Sequence, residues 1–308
     1  MRVLVTGGAG FIGSHTVDAL VAAGHHVRVL DDLSSGYAEH LNPAAEAFIG
    51  GINDEDLVQR TVEGCELVFH FAAHRAVLRS VEQPLETDTA NTHGTLVVLK
   101  AAADAGARRV VSASSSSVYG GAAVLPTPET APCLPRSPYA VTKLAGEHYC
   151  RVFAEVYGLE TVALRYFNVY GPRQRPDSAY AAVVPLFIEA LHKGEAAVVH
   201  GDGLQSRAFT YVDDVVQANL AAAAAPAAVC NGHAYNIAGD STHSVLDLLE
   251  ILAQILGMEP ARTHTEPRAG DVRRSEADVS AAYRDLAWQA STPFEAGLRS
   301  TVEWFIVR

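Results

Sequence analysis

Apolar and polar positions follow two different spacings along the first half of the chain. Short, continuous apolar runs predict buried strands at residues 2–6, 26–30, 67–71, 109–114 and 161–166. Longer stretches with apolar residues at helical spacing predict helices at residues 11–21, 91–105 and 140–157. Strands that alternate with helices are typical of a doubly wound parallel sheet, so we predict an α/β fold.

The pattern of apolar and polar positions changes after Gly171. A loop that contains proline and arginine, residues 172–178, leads into shorter elements, and residues 245–256 form a final run with helical spacing. We therefore predict two lobes, residues 1–170 and, mainly, residues 171–308. Some later segments are expected to return to the first lobe, and the second lobe is expected to cover its open edge.

Composition limits the possible partners. The 308 residues are 49% hydrophobic, which is enough for one large core, and the net charge of −12 disfavours nucleic acid and anionic membranes as partners. The four cysteines are widely spaced, so they indicate neither a metal site nor a set of disulfides. The sequence opens directly on a strand pattern and has no apolar run of membrane-spanning length, so we expect a cytoplasmic protein.

The glycine run after the first strand is typical of a dinucleotide site. Gly7 allows a tight turn, Gly10 lets the backbone approach a pyrophosphate, and Gly13 lets the helix pack closely against the strand. The N–H groups at the start of that helix suit phosphate oxygens. Asp31 ends the second strand eighteen residues after Gly13, where a carboxylate accepts hydrogen bonds from the adenosine ribose. No arginine follows Asp31 directly, so this Rossmann pattern favours NAD over NADP.

A tyrosine and a lysine four residues apart suggest proton transfer. Tyr139 and Lys143 begin a helical stretch after Pro138 and share one helix face. An ammonium group close to a phenol favours the phenolate, so we expect Lys143, together with a positively charged nicotinamide ring, to lower the pKa of Tyr139 toward neutrality. A run of serines at 112–117 ends the predicted strand 109–114, at the edge of the sheet where ligands bind in such folds.

Together these motifs resemble the extended short-chain dehydrogenase/reductase family and, within it, the UDP-sugar 4-epimerases. The resemblance extends from Met1 to about Trp304. Its motifs are Thr6 to Gly13, His70-Phe71-Ala72-Ala73, Asn91, the serine run to Tyr119-Gly120, Ser137-Pro138-Tyr139 to Lys143, Arg165-Tyr166-Phe167-Asn168, Gly201-Asp202-Gly203, Arg207 to Asp214, and Arg268-Ala269-Gly270-Asp271. The resemblance implies a Rossmann-type sheet with a smaller, interleaved C-terminal lobe that binds a nucleotide sugar.

For the chemistry, the resemblance implies three catalytic side chains. Ser115 would be the catalytic hydroxyl, Tyr139 the general base, and Lys143 the residue that binds the nicotinamide ribose and lowers the pKa of the tyrosine. Tyr139, directly or through Ser115, would remove the proton of the sugar 4-hydroxyl while NAD takes the hydride from C4. The 4-keto sugar would then turn and take the hydride back on its other face, which regenerates NAD in each cycle. The implied partner is a UDP-sugar, and homodimers are common in the family.

The resemblance also implies the residues that contact the cofactor and the nucleotide. The residues that would contact NAD are Gly7, Gly10, Phe11, Ile12, Gly13, Asp31, Ile52, Phe71, Ala72, Ala73, Arg75, Asn91, Tyr139, Lys143 and Tyr166. Asn168, Arg207 and Arg268 would hold the diphosphate, Asp271 the uridine ribose, and His200 would stack near uracil. Arginine suits this role because its charged fork matches phosphate oxygens.

Three positions depart from the family pattern. Gly51 stands where an Asp usually reaches the adenine amino group, although Ile52 can still pack on the ring. Ala208 replaces a common Asp beside Arg207, and Arg75 stands where some relatives have Lys. None of these changes removes a catalytic group.

Two signals on the choice of sugar conflict. Ser275 matches a gate on the sugar pocket, and its small size would admit UDP-N-acetylhexosamines beside UDP-glucose and UDP-galactose. Arg175 lies in a loop that resembles that of UDP-glucuronate 4-epimerases, where an arginine faces the sugar carboxylate, but those relatives usually have Thr at the position of Asn168. We favour a neutral UDP-hexose, with UDP-glucuronate as the alternative.

Two further classes stay open at this point. Nucleotide-sugar dehydratases and decarboxylases use the same tyrosine and lysine. A dehydratase usually has Asp-Glu directly after the catalytic hydroxyl, whereas this chain has Ser116-Ser117. A non-catalytic NAD-binding protein is the other alternative, which the presence of Ser115, Tyr139 and Lys143 disfavours.

Overall fold

The structure is a computed structural model that describes residues 1–174, 176, 182–267 and 272–307. Its strands are β1 (Arg2–Thr6), β2 (His26–Asp31), β3 (Glu46–Ile49), β4 (Leu67–His70), β5 (Arg109–Ser115), β6 (Glu160–Tyr166), β7 (Val169–Tyr170), β8 (Ala197–His200), β9 (Ser206–Ala208), β10 (Thr210–Tyr211), β11 (Asn231–Ile237), β12 (Thr242–Ser244), β13 (Arg262–Thr265) and β14 (Arg274–Ser275). Its α-helices are α1 (Phe11–Ala22), α2 (Glu55–Val62), α3 (Val77–Glu82), α4 (Pro84–Asp88), α5 (Gly94–Asp104), α6 (Pro138–Tyr157), α7 (Val183–His192), α8 (Val212–Ala224), α9 (Val245–Leu256), α10 (Ser280–Leu286) and α11 (Phe294–Ile306). Shorter helical turns lie at Ala38–His40, Thr89–His93, Ser116–Tyr119 and Ala227–Val229.

Seven strands within the described residues form one parallel sheet in the order β11-β6-β5-β4-β1-β2-β3. The order reverses between β1 and β4, because β1 to β3 extend to one side and β4 to β6 to the other. In open α/β sheets such a reversal leaves a crevice at the carboxyl ends of the strands, where ligands bind. The predicted doubly wound α/β fold is confirmed.

Alternate residues of the central strands pack on opposite faces of the sheet. Val3 and Val5 of β1 belong to a core that contains Leu20 of α1, whereas Leu4 belongs to a second core that contains Val98 of α5. All of these side chains are at most 1% exposed. Burial on both faces explains why these strands are continuous apolar runs in the sequence instead of alternating apolar and polar positions.

The predicted strands and helices of the first half are present, with small shifts at their ends. The helix predicted at 91–105 begins at Gly94, because a wider helical turn, Thr89–His93, precedes it. The prediction that 245–256 is the final helical run was wrong, since α10 and α11 follow α9. The sequence also missed β3 and β11, which lie at the two edges of the sheet and have many exposed positions. An edge strand need not be a continuous apolar run.

A separate core lies among the helices and strands that follow β7, and other later elements pack against the large sheet. Phe187 of α7, Leu248 of α9 and Leu298 of α11 are buried together. Two later segments return to the large sheet, since β11 pairs with β6 and α8 contributes Val215 to the core that also contains Val3. Among the described residues, no helix is both long enough and apolar enough to cross a membrane.

Candidate active site

A cavity of about 1040 Å³ lies at the carboxyl ends of β1, β2, β4 and β5. Its wall contains Ser115 and every residue predicted to contact NAD except Asn91. A second cavity of about 650 Å³ lies between α7 and strands of the second lobe. Asn168, Val169 and Ala182 belong to the walls of both cavities, so the two are adjacent. The structure thus brings together residues from distant parts of the sequence.

The glycine turn between β1 and α1 leaves no room for side chains. Gly7 has a φ of +72°, and a Cβ on it would lie 2.7 Å from the backbone nitrogen of Ala72. A Cβ on Gly13 would lie 2.1 Å from the carbonyl oxygen of Gly7, so only glycine lets α1 approach β1 this closely. Gly10 precedes α1 without a side-chain cap, which leaves the first N–H groups of the helix available to an anion.

Asp31 supports this turn from the end of β2. Its Oδ2 accepts a hydrogen bond from the backbone N–H of Ala9 at 2.9 Å, and its Oδ1 accepts one from Leu33 at 2.8 Å. Each carboxylate oxygen has a further lone pair for a ligand hydroxyl. Burial raises the pKa of Asp31, and the two backbone hydrogen bonds oppose this rise. The glycine turn and the free N–H groups at the start of α1 suit the pyrophosphate of NAD. The Asp31 carboxylate suits a ribose of NAD.

The far end of the cavity suits an adenine ring. Ile52 is 7% exposed and lies in the wall beside Gly51. A Cβ placed on Gly51 would meet no atom within 4 Å, and the φ of Gly51 is not in the left-handed region. The position that usually carries Asp in relatives is therefore open space in this chain, with the apolar contact retained.

The three predicted catalytic residues meet at the other end of the cavity. Ser115 ends β5 and caps the short helical turn Ser116–Tyr119, where its Oγ accepts hydrogen bonds from the backbone N–H and the hydroxyl of Ser117 at 3.2 and 3.0 Å. The Ser115 side chain also interacts with the phenol of Tyr139 and lowers its pKa. Lys143 Nζ lies 6.0 Å from the centre of the Tyr139 ring and donates a hydrogen bond of 2.9 Å to the carbonyl oxygen of Ala113.

The pKa values of this group correct one expectation. Burial raises the pKa of Tyr139, and the Ser115 side chain and the charge of Arg75 only partly oppose it. The sequence predicted a lowered pKa under the influence of Lys143 and the nicotinamide ring. In the protein itself, desolvation of the phenol raises its pKa more than the Ser115 side chain and the charge of Arg75 lower it. Burial also lowers the pKa of Lys143 to about 8, with smaller opposite effects from Cys150 and Glu147.

Asn91 lies behind the cavity wall, whereas direct contact with NAD was predicted for it. Its Oδ1 accepts a hydrogen bond from the backbone N–H of His74 at 2.7 Å, and its Nδ2 donates to the His74 carbonyl and to Thr142 Oγ1, both at 3.0 Å. Thr142 in turn donates to the carbonyl of Tyr139 at 2.8 Å. Asn91 therefore ties the loop after β4 to the first turn of α6.

His70 is a buried support that the sequence reasoning did not assign. Its Nδ1 lies 2.8 Å from Thr6 Oγ1, and its Nε2 lies 2.9 Å from Thr95 Oγ1. Burial lowers the pKa of His70 to about 3, with a further contribution from Lys143, so the ring is neutral near pH 7. This hydrogen-bonded row fixes the end of β1 directly before the glycine turn.

Three of the predicted nucleotide contacts line the second cavity. Asn168 has a φ of +36° and donates a hydrogen bond of 3.1 Å to the carbonyl oxygen of Ala208. Arg207 lies on β9, and its Nη1 donates to the carbonyl oxygen of Ser206 at 2.8 Å. His200 ends β8, and its Nδ1 lies 2.9 Å from Thr265 Oγ1. Ala208 is 2% exposed in a small apolar cluster.

The remaining substrate predictions have different outcomes. Ser275 pairs with Arg207 across β14 and β9, so it lies beside that arginine, but it belongs to neither cavity wall. Arg175, Arg268 and Asp271 lie outside the described residues. The four cysteines are free thiols, and in the described part of the chain no three His, Cys, Asp or Glu side chains are grouped to hold a metal ion.

A buried ion pair next to the catalytic residues was also missed. Glu147 lies four residues after Lys143 on α6 and forms an ion pair of 2.7 Å with Arg165 of β6. Both side chains are less than 10% exposed. The continued four-residue spacing from Tyr139 through Lys143 to Glu147 was the available signal, since it places all three on one side of the helix.

Known proteins resemble this chain over nearly its whole length. The model of the NAD dependent epimerase/dehydratase family matches residues 3–238. A UDP-glucose 4-epimerase from Mycolicibacterium smegmatis is 41% identical over 99% of this chain and 98% of its own length. The structure of a UDP-glucose 4-epimerase from Thermotoga maritima, solved with UDP-glucose, is 40% identical with a TM-score of 0.95, covering 100% of this chain and 99% of that one. A UDP-N-acetylglucosamine 4-epimerase from Methanobrevibacter ruminantium, solved with UDP-N-acetylmuramic acid, is 38% identical with a TM-score of 0.94, covering 99% and 98%.

The family match begins in β1 and ends directly after β11, so it includes the whole large sheet. The resemblance stated from the sequence motifs is confirmed. The protein is an enzyme whose cofactor is NAD. The chain belongs to the NAD-dependent epimerase/dehydratase family, and the relatives that it matches from end to end include UDP-sugar 4-epimerases.

Proposed function

We propose that the protein interconverts the C4 epimers of neutral UDP-hexoses, namely UDP-glucose and UDP-galactose and their N-acetyl forms. The observation that carries this proposal is the meeting of Ser115, Tyr139 and Lys143 in the larger cavity. The adjacent second cavity, with Arg207 and His200 in its wall, has the size and the cation that a nucleotide diphosphate requires. The full-length match to UDP-glucose 4-epimerases supports the same conclusion.

The chain's own residues account for the proton transfer. Tyr139 would remove the proton of the sugar 4-hydroxyl, directly or through the hydroxyl of Ser115, which interacts with the phenol and lowers its pKa. NAD, held by the glycine turn and Asp31, supplies reversible hydride transfer at C4 when bound. The charge of Arg75 and the Ser115 hydroxyl favour the ionised form of the phenol, and Lys143 would bind the nicotinamide ribose, as its family position implies.

The second cavity would hold the UDP half while the sugar turns. Arg207 and Asn168 would bind the diphosphate, with Arg268 as a further cation and Asp271 on the uridine ribose. The N-acetyl forms are included because Ser275 is small and because one matched relative is a UDP-N-acetylglucosamine 4-epimerase. UDP-glucuronate would instead require a cation such as Arg175 opposite the sugar carboxylate.

The test is turnover of UDP-glucose, UDP-N-acetylglucosamine and UDP-glucuronate side by side, without added NAD, followed by proton NMR. We expect the 4-epimers of the neutral sugars to form. Conversion of UDP-glucuronate alone would overturn the neutral-sugar proposal and make Arg175 the carboxylate partner. Release of water or carbon dioxide would move the protein to the dehydratases or decarboxylases, and no turnover by NAD-loaded protein would support a non-catalytic role.

We further propose that the protein acts as a homodimer through α4 and α6. Exposed apolar side chains on these helices include Leu85, Val152 and Val156, which are 82%, 41% and 70% exposed. Apolar surface of this kind is typical of an interface. Light scattering during size-exclusion chromatography is expected to give twice the chain mass of 32.7 kDa. The mass of a single chain would contradict the proposal.

A further inference from the structure

One face of α6 is attached to the end of β5 by three side-chain contacts. The phenol of Tyr139 interacts with the side chain of Ser115, and Lys143 donates a hydrogen bond to the carbonyl oxygen of Ala113. The third contact, one turn further along the helix, joins the hydroxyl of Ser114 to Oε1 of Glu147. The residues at 139, 143 and 147 thus contact the last three residues of the strand.

The contact between Ser114 and Glu147 is the most buried of the three. Ser114 is 5% exposed and Glu147 is 7% exposed. Arg165 binds both oxygens of this carboxylate, with Nε at 2.9 Å from Oε1 and Nη2 at 2.7 Å from Oε2. A carboxylate with a two-point partner in a buried place has little freedom to change its rotamer.

Arg165 extends the connection to the second lobe's edge. Its Nη1 donates to Tyr119 Oη at 2.7 Å, and Tyr119 donates to Asn236 Oδ1 at 2.7 Å. Asn236 Nδ2 donates to the carbonyl oxygens of Thr127 and Asp278, which lie on the two segments joined near Ser275. A single cluster of buried polar side chains therefore links the catalytic helix, the catalytic strand and the segment that follows β14.

We propose that Glu147 is a positioning residue that holds the end of β5, through Ser114, where Ser115 can share a proton with Tyr139. This inference rests on the proposed epimerase function. Lys143 cannot be the anchor on its own, because the same ammonium group is needed by the cofactor ribose. Glu147 is absent from both cavity walls, whereas Ser114 belongs to the wall of the larger cavity, so the contact joins a side chain behind that wall to one within it.

The position of Ser115 relative to Tyr139 affects the rate of the chemical step more than it affects the binding of the UDP-sugar. The hydroxyl of Ser115 must remain within hydrogen-bond reach of the phenol, and a shift of about 1 Å in such a geometry costs about 100-fold in rate. The UDP half binds in the other cavity and does not depend on this distance. Loss of the anchor is therefore expected to lower kcat and to leave KM nearly unchanged.

The experiment uses the NAD-loaded full chain and begins with the variant Ser114→Ala. This change removes one hydroxyl and leaves the Glu147–Arg165 ion pair in place. The matched control is Ser112→Ala, which removes another buried hydroxyl of the same strand, one that interacts with the thiol of Cys150 on α6 and lies outside both cavity walls. Both variants lose one buried contact between β5 and α6, so a general structural role predicts equal effects on Tm and on kcat.

A second variant, Glu147→Gln, tests the carboxylate itself. Its control is Glu155→Gln, which changes an exposed carboxylate on the same helix. Because Arg165 would keep an uncompensated buried charge, the variant is expected to lose stability, and kcat is measured on the folded fraction. The double variant of Ser114 and Glu147 completes a double-mutant cycle. If the two residues act together, kcat of the double variant is no lower than that of the more impaired single variant.

We expect Ser114→Ala and Glu147→Gln to lower kcat for the wild-type enzyme's preferred UDP-hexose about ten-fold or more, with KM and bound NAD unchanged. Equal kcat values for Ser114→Ala and Ser112→Ala would overturn the positioning role. A wild-type protein that turns over no UDP-sugar would contradict the proposed function instead. In that case crystal structures of the wild type and Ser114→Ala decide, because an unchanged distance between the Ser115 and Tyr139 hydroxyls would overturn the inference and a longer one would support it.

Discussion

The carboxylate of Asp31 accepts a hydrogen bond of 2.9 Å from the backbone N–H of Ala9. The end of β2 thereby holds the turn that follows β1, although the two residues are separated by the whole of α1. The same side chain faces the cavity, where its remaining lone pairs are available to a ribose. Asp31 therefore shapes the glycine turn as well as offering a ligand contact.

Replacement of Asp31 by Ala is expected to weaken NAD binding at least about ten-fold. Each hydrogen bond to a charged group contributes about 1.5 to 3 kcal/mol, and about 1.4 kcal/mol corresponds to a factor of ten in Kd. Fluorescence titration of NAD-free protein measures the change. The control is Asp56→Ala, an exposed carboxylate on α2. Equal affinities of the two variants would show that the ribose is held elsewhere.

Replacement of Tyr139 by Phe is expected to abolish turnover while NAD stays bound. General acid–base catalysis contributes about 100- to 10,000-fold, and Phe keeps the ring but removes the group that takes the proton. Tyr157→Phe on the same helix is the control, since that ring is 52% exposed and far along α6. The measurements are kcat by proton NMR and the NAD released on denaturation. Substantial activity in the Phe variant would contradict the assignment of the base.

Replacement of Gly51 by Asp is expected to strengthen NAD binding. The space beside Gly51 is open and its backbone conformation accepts a side chain, so an Asp can restore a hydrogen bond to the adenine amino group. A hydrogen bond to a charged group contributes about 1.5 to 3 kcal/mol, which corresponds to a decrease in Kd of about 10- to 150-fold. Gly51→Ala separates the effect of the carboxylate from that of a stiffer backbone. If Asp and Ala give the same Kd, the adenine ring lies elsewhere.

The acid sensitivity of the fold is expected to depend on His70. Burial and the nearby Lys143 lower the pKa of His70 to about 3, while a histidine in the unfolded chain titrates near 6.5. Between these values the unfolded state binds more protons, so His70 reduces the free energy of unfolding as the pH falls through this range. The contribution of His70 therefore leaves the free energy of unfolding highest above about pH 6.5.

The variant His70→Gln tests this linkage. Glutamine can hydrogen-bond to both Thr6 and Thr95 but does not titrate, so its free energy of unfolding should fall less between about pH 6.5 and about pH 5. Urea denaturation at both pH values measures the difference, with His192→Gln on the exposed side of α7 as the control. An identical pH dependence in wild type and His70→Gln would refute the buried neutral state.

Much of the cofactor site could be predicted from the sequence because its requirements are local. Gly7 and Gly13 are required because the backbone approaches closely there, and Asp31 is placed by the end of β2. These requirements produce a spacing in the sequence that can be recognised. The family resemblance identified Ser115, Tyr139 and Lys143, which the structure places in one wall. Their assigned roles stay predictions until the variants above are measured.

The remaining features depend on tertiary contacts that no local pattern reveals. Burial of the Tyr139 phenol reverses the direction expected for its pKa, and burial cannot be deduced from a four-residue spacing. The Glu147–Arg165 ion pair joins a helix and a strand, and Asn91 turns its amide toward His74 instead of the cavity. Edge strands such as β3 escape detection because only part of their surface is buried.

The return of β11 to the large sheet has a consequence for the order of events during synthesis. β11 pairs with β6, and Arg109 at the start of β5 binds the carbonyl oxygens of Ala222 and Ala223 at the end of α8. The dinucleotide half of the protein is therefore incomplete when residue 170 leaves the ribosome. Since domains fold as units, we expect the nascent chain to capture NAD only after translation has passed residue 237.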